Sequence, residues 1–514
     1  MRKDGITMKR THKLLALTLA IFMLLLAFAS CKAEKDSMEN LADGGYSNSI
    51  YPSNQENKVE ADASEKETTA SGVVENPFIA TAENNVSTFS ADVDTASYSY
   101  FRKLVNQGYK LDQLQSVGKS FRTEEFINYF DYDVRQPGDG ELFGVDAEFI
   151  GCPWSSSTVL LRMTLQAETA VETSGNNLVF LIDVSGSMNN KDKLPLLQKT
   201  FSSLVDQLSA RDRVSIVTYS GKEAVVLDGC AGDQRDRILS AINDLSAYGS
   251  TNGQAGLERA YEIAAKNRIE GGNSRIIMAS DGDLNVGISS EAELKAFIAE
   301  KRKAGIYLSV MGFGTGNYQD AKMETLADNG NGVYYYIDGE SEAEKVLGSD
   351  LLGTLYTVAE DVKMQLTFDT RYVSSYRLIG YENRVLNKED FNDDTKDAGE
   401  VGAGHQVTVC YELTLNEGAR DAEDAWLKLA VRYKDPGETQ SLLNEYALGA
   451  ANLSATVSED MKFLSCLIQT VMILHQSRYL KDTTIEGIAE TLNSLDLTAY
   501  PDRAEFRDLI HKLV

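Results

Sequence analysis

Between Asn177 and Leu352 short apolar runs alternate with amphipathic stretches, and this alternation constrains the fold more than any other feature of the chain. Asn177–Ile182, Val214–Tyr219, Arg275–Ser280, Tyr307–Phe313 and Gly332–Ile337 read as strands. After the first strand, Leu194, Leu197, Phe201, Leu204 and Leu208 recur at helical spacing. Further helices are predicted over Asp233–Leu245, Gln254–Lys266, Ser290–Ala304, Gln319–Ala327 and Ser341–Leu352. Glu223–Leu227 pairs back on its predecessor across a Ser-Gly-Lys turn. The pattern predicts an α/β domain, doubly wound, with a mainly parallel sheet and helices on both faces. Ligands of such sheets bind at the carboxyl ends of the strands.

The first strand runs into Asp183-Val184-Ser185-Gly186-Ser187. Alternate residues of an extended chain point the same way, so Asp183, Ser185 and Ser187 can aim three oxygens at one point. Converging hard oxygens suit a small hard cation such as Mg²⁺. The same residues also suit a turn and N-cap before a helix. Two later loops fall at the same edge: Gly249-Ser250-Thr251-Asn252-Gly253 precedes a helix, and Ser280-Asp281-Gly282-Asp283 closes a strand. Asp283 reads as a turn residue.

With these motifs in this order, the segment resembles a von Willebrand factor type A domain carrying a metal-ion-dependent adhesion site. The resemblance implies a Rossmann-like fold over residues 176–355 and a site made of Asp183, Ser185, Ser187, Thr251 and Asp281. In that family the hydroxyls meet the metal directly or through water, and the aspartates complete the shell. The implied cofactor is Mg²⁺, with Mn²⁺ or Ca²⁺ as substitutes.

Two neighbouring stretches invite other readings. Gly312-Phe313-Gly314-Thr315-Gly316 lacks the spacing of a dinucleotide loop and the lysine of a P-loop, so a strand-end turn is expected. Asp328-Asn329-Gly330-Asn331-Gly332 lacks the later ligands of a calcium loop and reads as a turn too.

The N-terminus predicts where this chemistry takes place. Arg2, Lys3, Lys9, Arg10 and Lys13 precede an apolar run from Leu14 to Ala29, the length of a signal-peptide core. The run ends Phe28-Ala29-Ser30-Cys31, which resembles a bacterial lipobox with Phe28 in place of the usual Leu. Residues 1–30 are expected to be removed and Cys31 lipidated, which anchors the protein to a membrane facing outward. Residues 31–75 are rich in Ser, Glu, Asn, Asp and Lys without apolar periodicity and read as a disordered tether. Residues 1–30 hold five basic side chains and one acidic, so the remainder carries 45 against 76, a formal net charge of −31. That balance argues against nucleic acid or anionic lipid as a partner.

Cys152, Cys230, Cys410 and Cys466 are widely spaced with no C-x-x-C pair, so a zinc or redox site is unsupported; disulfides are possible outside the cytoplasm, but buried thiols are expected. The flanks, 76–170 and 360–455, read as short helices and strands. Helices are predicted around Ser99–Asn106 and over Glu124–Phe130, strands over Val145–Ile150, Val159–Leu165, Val362–Phe368, Ser375–Tyr381, Gln406–Leu415 and Trp426–Tyr433. Strands on both sides of the inserted domain predict one sandwich built from both flanks. Residues 456–514 are helical, with Phe463–Leu474 too short to span a bilayer and Pro501 breaking the chain between the last two helices.

These flanks resemble a family of bacterial A-domain lipoproteins through Ser87–Tyr98, Ile127–Tyr132, Tyr376–Arg384 and Asp397–His405. Asp92 and Asp94 are expected to cap the helix that follows, and His405 to be structural. Asp390, Asp393, Asp394, Asp397 and Glu400 form an acidic loop that could hold Ca²⁺, with solvated charge the preferred expectation.

The functional expectation is a metal-dependent binding protein whose partner offers an acidic side chain to the metal. The alternative is an envelope scaffold whose metal only stiffens loops. No histidine pairs with Ser185 or Ser187 in any motif, so catalysis is not expected.

Overall fold

The structure, a computed structural model, describes residues 69, 72–169, 174–250, 253–282, 291–314, 320–350, 353 and 355–514. Cys31 and the leader and tether readings therefore lie outside the described residues, apart from the last few positions of the tether.

The inserted domain is the doubly wound α/β fold. Its six-stranded sheet runs Tyr334–Ile337, Tyr307–Phe313, Asn273–Ser280, Asn176–Asp183, Arg213–Tyr219, Ala224–Ala231. All neighbours are parallel except the last, which returns antiparallel as a hairpin. Asn176–Asp183 is buried along its whole length because helices cover both sheet faces. Leu194–Val205 packs on one face and Gly253–Lys266 on the other. The chain steps from the Asn176–Asp183 strand to Arg213–Tyr219 on one side and reaches Asn273–Ser280 on the other. This reversal opens a crevice at the carboxyl end of the central strand.

The flanks form a β-sandwich. One sheet orders Ile79–Ala80, Val373–Ile379, Gln406–Leu415, Val159–Ala167, Phe143–Gly151. The other orders Val385–Leu386, Val86–Ser90, Thr357–Phe368, Ala425–Lys434, Leu442–Gly449, with Gly399–Gly402 also pairing to Thr357–Phe368. Their inner faces share one core that includes Phe89, Phe149, Met163, Leu366, Tyr376 and Trp426. Sequence patterning misses the short strands Ile79–Ala80, Val385–Leu386 and Gly399–Gly402, and two longer ones. Val86–Ser90 mixes polar and apolar residues and is held by pairing to Thr357–Phe368 beyond the inserted domain. Leu442–Gly449 is a half-exposed edge strand whose apolar residues do not alternate.

The terminal helices complete the flank. Ala96–Asn106 and Thr123–Asn128 pack with Glu459–His475, Ile485–Asn493 and Pro501–His511 around Tyr98, Phe101, Phe126, Phe130, Phe463 and Phe506. Pro501 starts the last helix at its first turn, where a missing N–H costs nothing, so that helix begins five residues before Phe506. Among the described residues no helix is long and apolar enough to cross a membrane. Cys152, Cys230, Cys410 and Cys466 are buried and unpaired.

Asp92 and Asp94 do not cap the following helix. Its N-cap is Thr95, which makes no side-chain capping bond. Asp92 instead pairs with Arg384 at 2.8 Å, and Asp94 Oδ1 accepts the Tyr334 N–H at 2.8 Å. Asp92 thus ties one flank to the other, and Asp94 docks the flank on the inserted domain. Charge that looked available for capping is consumed by an arginine far away in sequence.

Glu124 is buried and Glu382 half-buried, and their carboxyls act on each other under this assembly. Burial first, then Glu382, pushes the Glu124 carboxyl up to about 8, and burial pushes Glu382 up to about 7. The unfolded chain gives up these protons near pH 4.5, whereas the fold retains them to about pH 7–8. The unfolded state thus binds fewer protons across that window, so stability falls as pH rises through it. Glu124→Gln keeps the oxygen that accepts the Tyr381 N–H and removes the charge. Urea denaturation at pH 5 and pH 8 should show the variant's stability gap narrowed by about 2 kcal/mol relative to wild type. An unchanged gap refutes the assignment.

Candidate metal centre

Asp183 ends the central strand fully buried. Its Oδ1 accepts the Ser185 N–H at 2.8 Å, and its buried Oδ2 meets no hydrogen-bond donor in bonding geometry. The Ser185 and Ser187 hydroxyl oxygens stand 3.0 Å apart. Ser185 is extended, but Gly186–Asn189 forms a 3₁₀ turn, so Ser187 reaches its neighbour through a turn and not along a straight strand.

Asp281 follows the adjacent strand Asn273–Ser280 and is buried. The loop before the Gly253–Lys266 helix is stitched to the motif by two backbone bonds. Tyr248 N–H donates to Val184 O at 2.7 Å, and Gly186 N–H donates to Gly249 O at 3.1 Å. Gly249 sits at φ +83, a left-handed turn that glycine adopts without strain. Thr251, two residues on, and Asp283 lie outside the described residues. The structure therefore brings together Asp183, Ser185, Ser187 and Asp281.

Burial is the main cause of a raised Asp183 carboxyl, held up at about 6, and the nearby Asp281 adds to it. The Tyr219 hydroxyl is pushed up by burial and by Asp183. A buried carboxylate oxygen with no donor is costly unless a cation completes it. Two neutral hydroxyls and two carboxylates, all oxygen, make a donor set of the hard-cation type. The residues present fit a divalent metal of the Mg²⁺ class.

Lys193 is the site residue that sequence reasoning missed. Its Nζ donates to Asp281 Oδ2 at 2.7 Å and to Ser187 O at 3.0 Å. It stands at the N-cap of Leu194–Val205, where the helix dipole disfavours a cation. A lysine in that place needs a nearby anion, and that was the available signal. Gly314 explains itself here as well: a Cβ on it would fall 2.3 Å from Lys193 Cε, so the glycine clears the path for the lysine stem. The Gly312–Gly314 segment is thus a strand-end turn, while Asp328 pairs with Arg384.

The acidic loop divides. Asp393 and Asp394 bond their own loop and Ser441, whereas Asp397 and Glu400 approach Asp361 with oxygens within 4.8 Å of one another. Lys434 pairs with Asp361 at 2.6 Å and Arg302 with Asp397 at 2.8 Å. Protein cations already neutralise that cluster. Glu400, its carboxyl raised by burial and then by Asp397, is buried and not solvated as expected.

His405 is half-buried, its pKa lowered by burial to about 4, and its Nδ1 accepts the Gly402 N–H at 3.4 Å. His475 bonds Phe121 O and His511 bonds Asn493.

Comparison with known proteins agrees with the fold. The family described as von Willebrand factor type A domain matches residues 177–348, and one described as von Willebrand factor matches 63–162. A third, Uncharacterized protein YfbK, C-terminal, matches residues 353–514. The chain is 40% identical over 466 residues to the uncharacterized protein YfbK of Escherichia coli (strain K12), covering 85% of this chain and 79% of that one. It is 26% identical over 344 residues to inter-alpha-trypsin inhibitor heavy chain H3 of Homo sapiens, covering 63% and 36%. Among solved structures it resembles a von Willebrand factor type A protein from Catenulispora acidiphila at 16% identity and TM-score 0.40, covering 75% and 88%.

Proposed function

We propose a function from the premise that the chain belongs to the family of YfbK, von Willebrand factor A domain proteins with a characteristic C-terminal region. The protein is a lipid-anchored binding protein outside the cytoplasm that captures a protein partner through a divalent metal held by Asp183, Ser185, Ser187, Thr251 and Asp281. Von Willebrand A domains often bind partners through such a metal. The observation that carries the reading is the buried Asp183 carboxylate, met by no cation, beside two converging hydroxyls at the sheet's carboxyl edge.

Mg²⁺ is the ion that the oxygen-only donor set favours. The anchor rests on Cys31 at the end of its apolar run, and the acidic chain needs a local positive charge to receive an acidic partner. The role is binding and not catalysis, because the described histidines bond elsewhere and both serines fit as ligands.

Immobilised protein should retain a partner from membranes in Mg²⁺ and release it in EDTA, and Asp281→Ala should retain none. Capture that survives both treatments sinks the reading. A sharp fall in melting temperature on metal removal, with no partner retained, favours the scaffold instead.

A further inference from the structure

The two carboxylates of the centre have different company. Asp183 has only neutral partners, the Ser185 N–H and hydroxyl and the Tyr219 hydroxyl, whereas Asp281 Oδ2 receives the Lys193 ammonium at 2.7 Å. The lysine side chain is 8% exposed and Asp281 1%, so water screens this pair little. The lysine is also fixed in place: Ser187 O takes its second bond, and Gly314, at φ +76, leaves room for its stem.

Charge then decides what the centre can bind. Two carboxylates alone would cancel a divalent ion and leave nothing to attract an anion. With Lys193 counted, the protein contributes one net negative charge, and the loaded centre keeps one net positive charge. In a buried site such a charge acts strongly over a few ångströms. The same ammonium must also repel the incoming metal.

We propose that Lys193 is the charge-setting residue of the centre: by neutralising Asp281 it weakens the hold on the divalent ion and keeps that ion electropositive toward a carboxylate from outside. This rests on the metal-site reading above and adds to it the trade between metal affinity and anion affinity. Lys193 acts through Asp281 and is a positioning residue.

The test uses the full chain with Mn²⁺ as the metal and acetate as the anion. Calorimetry gives the Mn²⁺ affinity, and loss of water-proton relaxivity on adding acetate gives the anion affinity of the loaded centre. Lys193→Met removes the charge, and Lys193→Gln removes it while keeping a donor for Asp281 and Ser187 O. Both variants should bind Mn²⁺ at least about tenfold more tightly and acetate at least about threefold more weakly. A merely structural role would weaken both. Mn²⁺ affinity that is unchanged or lower in both variants, or acetate affinity that does not fall, overturns the proposal. If wild type binds Mn²⁺ and Asp183→Asn does not, such a result overturns the role of Lys193 alone. A wild type that binds no Mn²⁺ overturns the metal site and this inference together.

Discussion

Asp183→Asn should abolish the stabilisation by divalent metal while leaving the metal-free chain at least as stable as wild type. The carboxylate is buried, one oxygen takes the Ser185 N–H, and the other has no donor. Asparagine keeps the accepting oxygen and removes a charge that the fold raises to about pH 6 by burial. Relief of that burial is worth about 1–3 kcal/mol to the metal-free fold. A ligand at a hundredfold excess over its dissociation constant stabilises by about 2.7 kcal/mol. For a unit of the A domain's size this is a rise in melting temperature of about 5–10 °C. Wild type should show that rise on adding Mg²⁺ and the variant none. A variant that still responds to Mg²⁺, or that unfolds without it, refutes Asp183 as a ligand.

The second large effect is expected at Arg102. Its guanidinium meets Asp338 through two nitrogens at 2.8 and 2.6 Å, Glu342 at 2.6 Å, Glu505 at 3.1 Å and the Tyr129 hydroxyl at 2.7 Å. The arginine belongs to an N-terminal flanking helix, Asp338 and Glu342 to the end of the A domain, and Glu505 to the last helix. Arg102→Met leaves two buried carboxylates without a cation, a loss of about 3–5 kcal/mol. Chemical denaturation should register it, and limited proteolysis should cut sooner between the A domain and its flanks. Arg102→Lys should not restore the wild-type value, because one ammonium cannot serve four partners in the guanidinium plane. Adding Glu342→Gln to Arg102→Met should recover part of the loss, since one stranded charge is gone. Full stability in the single variant would show that the network contributes nothing to docking.

The fold was readable where residues obey a local period. Asn177–Ile182 is apolar throughout because both sheet faces are covered, and Leu194, Leu197, Phe201 and Leu204 recur at helical spacing because one helix face is. That Asp183, Ser185, Ser187 and Asp281 would come together was also readable, since the first three continue one strand end and Asp281 follows the neighbouring one. Val86–Ser90 and Leu442–Gly449 were not readable. Their conformation is fixed by partners across the sheet, and neither has the alternation that a locally legible strand carries.

The same division separates what each level decides about function. Sequence by itself determined the doubly wound sheet and the strands of the two-flank sandwich that follow a local period, because periodicity is a property of neighbouring residues. Only the tertiary structure decided which cation faces which carboxylate. Arg384 could be known to serve Asp92, Lys193 to serve Asp281, and Lys434 and Arg302 to quench the Asp361 cluster only once strands far apart in the chain were packed together. Charge acts through space over a few ångströms, and spacing along the chain does not report that distance.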